Sequence, residues 1–156
     1  MTGGSAPGTD GPPAAADQPD RAARIATARR MTRDAAAAWL TDDAVSAIGP
    51  AVAAAITRCR ATAGREPTWA EALAGIDPQL LTPLTVVPAG WPLPPAVWRR
   101  DLRTRLMDRL KHAAWVTYTA RPRSLQVGSR GRTWLTTTTT RPAPGNPQTA
   151  VTPLQG

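Results

Sequence analysis

Arginine carries the chemistry available to this chain. Arg99, Arg100, Arg103, Arg105 and Arg109 crowd one short stretch, and Arg121, Arg123, Arg130 and Arg132 follow it; Lys111 is the only lysine. A guanidinium is a planar fork of donors that stays charged at any working pH. It bonds oxyanions, or two acceptors on one ring edge, in bidentate fashion. Residues 90–141 hold eleven Lys and Arg against two acids, whereas the rest of the chain holds eight against nine, so the formal charge of +8 resides in this stretch. A single exposed Arg is most simply solubilising. Eleven against two is not, because an ordinary solvated face intersperses both signs.

Other chemistries lack their parts. His112 is the only histidine and Cys59 the only cysteine, so no metal site with a normal ligand count follows and no internal disulfide can form. His112 suits a helix C-terminus, where a cation complements the dipole, and Cys59 falls on an apolar stripe. None of the four serines lies in a G-x-S-x-G turn, and no phosphate-cradling G-x-x-x-x-G-K loop occurs. The acids are scattered; Glu66 and Glu71 flank a helix start. We expect neither an enzyme nor a cofactor. No apolar run of about 18 residues is long enough for a membrane span, and no basic-then-apolar secretory signal opens the chain, so a cytoplasmic protein is expected.

The elements that must position the arginines can be read from spacing. Residues 1–20 and 136–156 are rich in Gly, Pro, Thr and Ala without apolar periodicity, which predicts disordered tails. Ala and Arg favour a helix over 20–40. Its stripe of Ile25, Ala28, Met31, Ala35 and Trp39 is mostly small, predicting an extra helix only partly docked. Thr41 with Asp42 and Asp43 reads as a cap followed by acids in the first turn. Val45, Ile48, Val52, Ile56 and Cys59 then recur at helical spacing. Gly49-Pro50 implies a kink or a second helix start, and Gly64 a left-handed cap. Thr68-Trp69-Ala70-Glu71 is a capping box opening a short helix, Trp69 to Ala74, which Gly75 stops. Asp77-Pro78 opens one more turn through Leu81, and Thr85-Val86-Val87 reads as a short edge strand within a proline-rich connection over 82–95.

Pro95 starts a long basic helix ending near His112 or Ala114. Trp98, Leu102, Leu106, Leu110 and Ala113 form its apolar stripe, and Arg100, Thr104, Arg105, Asp108, Lys111 and His112 its opposite side. A hairpin follows, Trp115–Thr119 and Ser124–Val127, with 120–123 as the loop. Pairing Val116 with Val127 puts Tyr118 opposite Leu125, and all four on one face. Gly128 to Arg132 then ends the sheet, with Trp134 as a returning anchor. With no Phe in the chain, Trp69, Trp98 and Trp115 are expected in the core, and Trp91 packed from the connector.

The order of helix, capped short helix, long basic helix and hairpin over residues 41–135 resembles a winged helix-turn-helix domain. The helix and hairpin at 95–127 are the most specific part, and TWAEAL supports them. The departure is the connector from Gly75 to Pro94, where that family usually has a short turn. The fold class implied is mainly α with a small β-hairpin (α+β). The resemblance implies a transcriptional regulator that binds double-stranded DNA sequence-specifically; the abundance of Ala, Arg, Gly and Pro fits a GC-rich bacterial genome, so a chromosomal, plasmid or phage origin is expected. Arg99, Arg100, Arg103 and Thr104 would meet base edges and nearby phosphates. Arg121 and Arg123 would grip backbone or a narrow minor groove from the wing, and Lys111, Arg130 and Arg132 would contact backbone. The helix at 20–40 is a candidate homodimer element. Two other readings use the same charge: an interaction adaptor placing its basic face on an acidic partner, and an RNA binder, for which no aromatic strand platform is visible.

Overall fold

The computed structural model describes residues 17–141 together with Gly3, Gly4 and Gly8. Of the tails expected over 1–20 and 136–156, residues 17–20 belong to the first helix instead, while 142–156 and the rest of 1–16 lie outside the described residues. Six α-helices and one two-stranded antiparallel sheet follow in order: α1 (Asp17–Trp39), α2 (Asp42–Ala63), α3 (Trp69–Ala74), a 3₁₀ turn (Pro78–Leu81), α4 (Thr82–Thr85), α5 (Pro95–His112), β1 (Val116–Thr117), β2 (Gln126–Val127) and α6 (Ser129–Thr139). The fold is thus mainly helical with a small sheet.

α2 is the central post. The Thr41 hydroxyl accepts the Ala44 N–H, Asp42 and Asp43 face the positive end of the helix, and Gly64 closes it in the left-handed region at φ 65°. Gly49-Pro50 divides nothing: one helix runs through it. Val45, Ile48, Val52, Ala53, Ala55 and Ile56 are buried, and α6, α3, both strands and α5 pack around them.

α5 buries Trp98, Leu102, Leu106 and Leu110, the stripe expected from the spacing. Its end is a Schellman turn. The Ala114 N–H donates to Lys111 O and the Trp115 N–H to Leu110 O, both at 3.0 Å, with Ala114 at φ 61°. This places a left-handed residue after the last helical turn and aims the chain straight into β1. The strands pair Val116 with Val127 and Thr117 with Gln126, the expected register. The regular ladder is shorter than expected, because side-chain bonds take over at the loop: the Thr119 N–H donates to Ser124 Oγ (2.9 Å), and that hydroxyl donates to Thr119 O (3.1 Å).

Four expectations are corrected. First, α1 docks on α5, but by a narrow face that is not the expected stripe. Its buried face is Ala28, Thr32 and Ala36 with Leu40 just beyond its end, while Ile25, Met31, Ala35 and Trp39 are only half-buried. Thr32 tolerates burial because its hydroxyl donates to Ala28 O at 3.1 Å. Second, Thr85 ends a helical turn and no edge strand forms; the Val86 N–H donates back to Thr82 O, so it cannot serve a ladder.

Third, Gly128–Arg132 does end the sheet after Val127, but as the opening turn of an unexpected helix. It starts α6, whose first-turn Arg130 N–H donates to Ala114 O and whose Gly128 cap N–H donates to Trp115 O. Fourth, the threonine run is helical to Thr139 rather than the start of a disordered tail. Hydroxyls from Thr133, Thr136, Thr137, Thr138 and Thr139 each donate to the carbonyl four residues back, at 2.8–3.1 Å. Thr136–Thr139 are exposed, so the packing of α6 on α2 belongs to the turns before them, and the run propagates a helix already seated, despite the poor helix propensity of β-branched residues.

The connector is packed, not loose. Leu81 and Leu84 are buried. The Trp98 indole N–H donates to Pro83 O at 3.0 Å, and Trp91 meets Trp98 edge-on, with centroids 5.0 Å apart.

Candidate nucleic-acid interface

α5 is gripped on three sides. α2 and β1 lie beneath its apolar stripe, α1 on one flank and α4 on the other. What remains exposed is an outer side carrying Arg99, Arg100, Arg103, Thr104, Asp108 and Lys111, with His112 exposed towards α1. Arg99, Arg100 and Arg103 border a groove whose far wall is Ala70 and Leu73 of α3 and Leu84 and Thr85. Among the described residues Arg99 and Arg103 make no ion pair, whereas the Arg100 Nε lies 3.3 Å from Asp101 Oδ1. The Thr104 hydroxyl donates to Arg100 O at 3.0 Å. Its proton is therefore spent and the oxygen is left to accept.

Lys111 works at the joint of helix and hairpin. Its Nζ donates to Tyr118 O at 3.1 Å and sits 4.5 Å from the Tyr118 ring centroid. The Tyr118 hydroxyl donates to Asp108 Oδ1 at 2.6 Å. Burial of the ring, aided by the Asp108 carboxylate, pushes the phenol pKa up to about 12. Arg109, which the sequence reading left without a role, bonds Asp42 at the start of α2.

The hairpin loop divides its two arginines. Arg121 is exposed and makes no ion pair among the described residues. Arg123 is turned back towards α3: it adopts φ 55° and brings Nη1 to 3.6 Å from Glu71 Oε2. Glu71 is the acid of the capping box. It accepts the Thr68 N–H at 2.7 Å and both terminal nitrogens of Arg65, at 2.8 and 3.1 Å. The Arg65 fork, followed by the Thr68 bond, holds its carboxyl below the usual carboxylate range. Trp69 meets Tyr118 edge-on at 5.6 Å beside this network. The loop thus lies against α3, with Arg123 exposed and leaning on the capping acid at ion-contact distance.

Arg130 and Arg132 are also re-placed. They lie in the first turn of α6, which packs on α2 and β1. Arg132 donates to Val127 O at 2.9 Å and Arg130 stacks 4.9 Å from the Trp115 ring centroid. Both engage their own fold.

The structure adds cations that the sequence reading missed. Arg21, Arg24, Arg29 and Arg33 line the α1 side of two cavities shared with α5. Counting the chain outside 90–141 as nearly neutral concealed them; the five arginines of α1 against three acids were the available signal. Among the described residues no three His, Cys, Asp or Glu side chains form a metal-ligand cluster, and no helix is long and apolar enough to cross a membrane. No protein-family model, curated protein or solved structure matches the chain.

Proposed function

We propose that the chain is a sequence-specific double-stranded DNA-binding protein of the winged helix-turn-helix type, acting as a transcriptional regulator of bacterial, phage or plasmid origin. The observation that carries this reading is the outer side of α5. It is a straight, rigidly seated helix face with exposed guanidiniums, followed directly by a hairpin that is strapped to it through Tyr118 and Lys111. A helix of this kind suits the major groove, where an Arg bridges guanine O6 and N7. Arg99, Arg100 and Arg103 are the base-reading candidates, with Thr104 as an acceptor. Arg121 is the wing's backbone contact; Arg123, Arg130, Arg132 and Lys111 hold the scaffold.

The test is binding to selected and random duplexes across a salt series. Affinity for both falls with salt, at about 0.9 log unit per log of salt for each phosphate neutralised. Arg103→Ala narrows the gap between selected and random sites by about 1–3 kcal/mol. Arg121→Ala weakens all duplexes alike and lowers the salt slope by about 1. Salt-insensitive binding, or no binding to any duplex, sinks the reading.

A further inference from the structure

α1 and α5 lie side by side and run in the same direction. The start of α1 (Arg21, Ile25, Ala28) faces the start of α5 (Val97, Arg100, Asp101) across a cavity of about 740 Å³. The end of α1 (Arg33, Ala36, Ala37) faces the end of α5 (Arg105, Asp108, His112) across one of about 470 Å³. The two cavities follow one another along the contact of α1 with α5. Apolar side chains such as Ile25, Val97 and Leu40 line them beside arginines from both helices.

Of the α1 arginines, Arg24 is spent on Pro92 O, which it reaches with two nitrogens at 3.2 and 2.9 Å. Arg21 and Arg29 are exposed without an ion pair among the described residues, and Arg33 has only a loose 3.8 Å contact with neighbouring Asp34. Three acids also line the two cavities, Asp20, Asp101 and Asp108; Asp101 pairs with Arg100 and Asp108 accepts the Tyr118 hydroxyl while keeping its charge, and the seven lining arginines outnumber them. Arg29 and Arg33 are four apart, so they stack on one edge of α1.

We propose that this edge of α1, through Arg29 and Arg33 with Arg21, grips the sugar-phosphate backbone of the DNA strand beside the groove that α5 occupies. The inference rests on the DNA-binding reading of α5. Packed helices lie about 8–10 Å apart, and the major groove is about 12 Å wide. A helix packed against the flank of one lying in the groove therefore sits over the groove's wall, which is phosphate. Arg121 serves the other side, so that α5 is held between two backbone contacts. These contacts carry affinity and register but no sequence information.

The experiment uses the full chain and three proteins: wild type, Arg29→Ala/Arg33→Ala, and Arg29→Lys/Arg33→Lys. Thermal melts first check that the double variants fold. Removing two phosphate contacts lowers the salt slope by about 2 and the affinity about 30-fold at 0.15 M salt. The ratio of selected to random binding stays unchanged, and the Lys pair restores the slope. Ethylation interference loses its signal at phosphates distinct from those lost with Arg121→Ala. An unchanged slope with intact duplex binding overturns the α1 contact and leaves the α5 reading standing. A collapsed sequence preference in the Ala pair also overturns it, since the two arginines would then read bases. Failure of the wild type to bind any duplex overturns the α5 reading itself.

Discussion

Tyr118 donates its hydroxyl to Asp108 across the corner between β1 and α5, at 2.6 Å. Tyr118 is the only tyrosine in the chain, so its ionisation can be followed by ultraviolet absorbance without ambiguity. The midpoint is expected near 12 rather than the ordinary 10. Asp108→Asn removes the carboxylate and lowers it. The folded pKa is raised, so the fold binds this proton more tightly than the unfolded chain. The stability it contributes is complete below pH 10 and is lost as pH rises from 10 towards 12. A midpoint near 10 in the wild type refutes the strap.

Ala114 sits at φ 61°, in the left-handed position of the Schellman turn that ends α5. A non-glycine residue there costs about 1–2 kcal/mol, and the greater freedom of glycine in the unfolded chain returns part of it. Ala114→Gly should therefore stabilise by about 0.5–1 kcal/mol, raising Tm by a few degrees. Gly64→Ala, at the matching position after α2 (φ 65°), should shift Tm the other way. Shifts of the same sign at both positions contradict the assigned backbone.

Glu71→Gln keeps the length and shape of the capping acid but removes the charge that Arg65 and Arg123 share. Tm at pH 7 falls. The folded carboxyl lies below its unfolded value of 4.5. Its contribution is present above pH 4.5 and lost as pH falls through the folded value. The variant therefore shows a flatter loss of stability below pH 4.5. Superimposable acid unfolding curves for the two proteins would discard the network. Because Arg123 is released, the loop around it also gains amide exchange in the variant.

Gly131 is buried in the first turns of α6, where a Cβ would come within 2.6 Å of Val127 Cγ1 and 2.8 Å of Trp115 O. Helix propensity alone favours Ala there by about 1 kcal/mol. The Trp115 carbonyl is backbone and cannot step aside, so overpacking of about 1–3 kcal/mol wins. Gly131→Ala should lower Tm; a rise would mean that α6 does not lie against β1 and β2.

The sequence made α5 and the hairpin register legible because both depend on short-range patterns. Trp98, Leu102, Leu106 and Leu110 share a face at any helical geometry, and only one register puts Val116, Tyr118, Leu125 and Val127 together. The capping box over Thr68 and Glu71 was legible for the same reason. What was hidden depends on partners far along the chain. The threonines of α6 carry strand propensity and are exposed; they continue a helix whose seat on α2 lies in the turns before them, which no pattern within the run announces. The docking of α1 was hidden because its buried face is Ala28, Thr32 and Ala36, residues whose smallness suits close helix contact but gives no hydropathy signal. Arg123 looked like a wing-tip cation because nothing local announces its bond to Glu71, fifty-two positions earlier.

The bond from Arg24 to Pro92 O spans 68 residues, and α1 packs chiefly on α5. During synthesis the first helix therefore emerges long before the helix that covers it. At about 5–20 residues per second this interval is about 3–14 s. Through that time the centre of the face that waits is alanine and threonine rather than leucine, with Ile25, Met31 and Trp39 only at its edges. A Leu at Ala28 or Ala36 would expose a sticky stripe on the ribosome for several seconds.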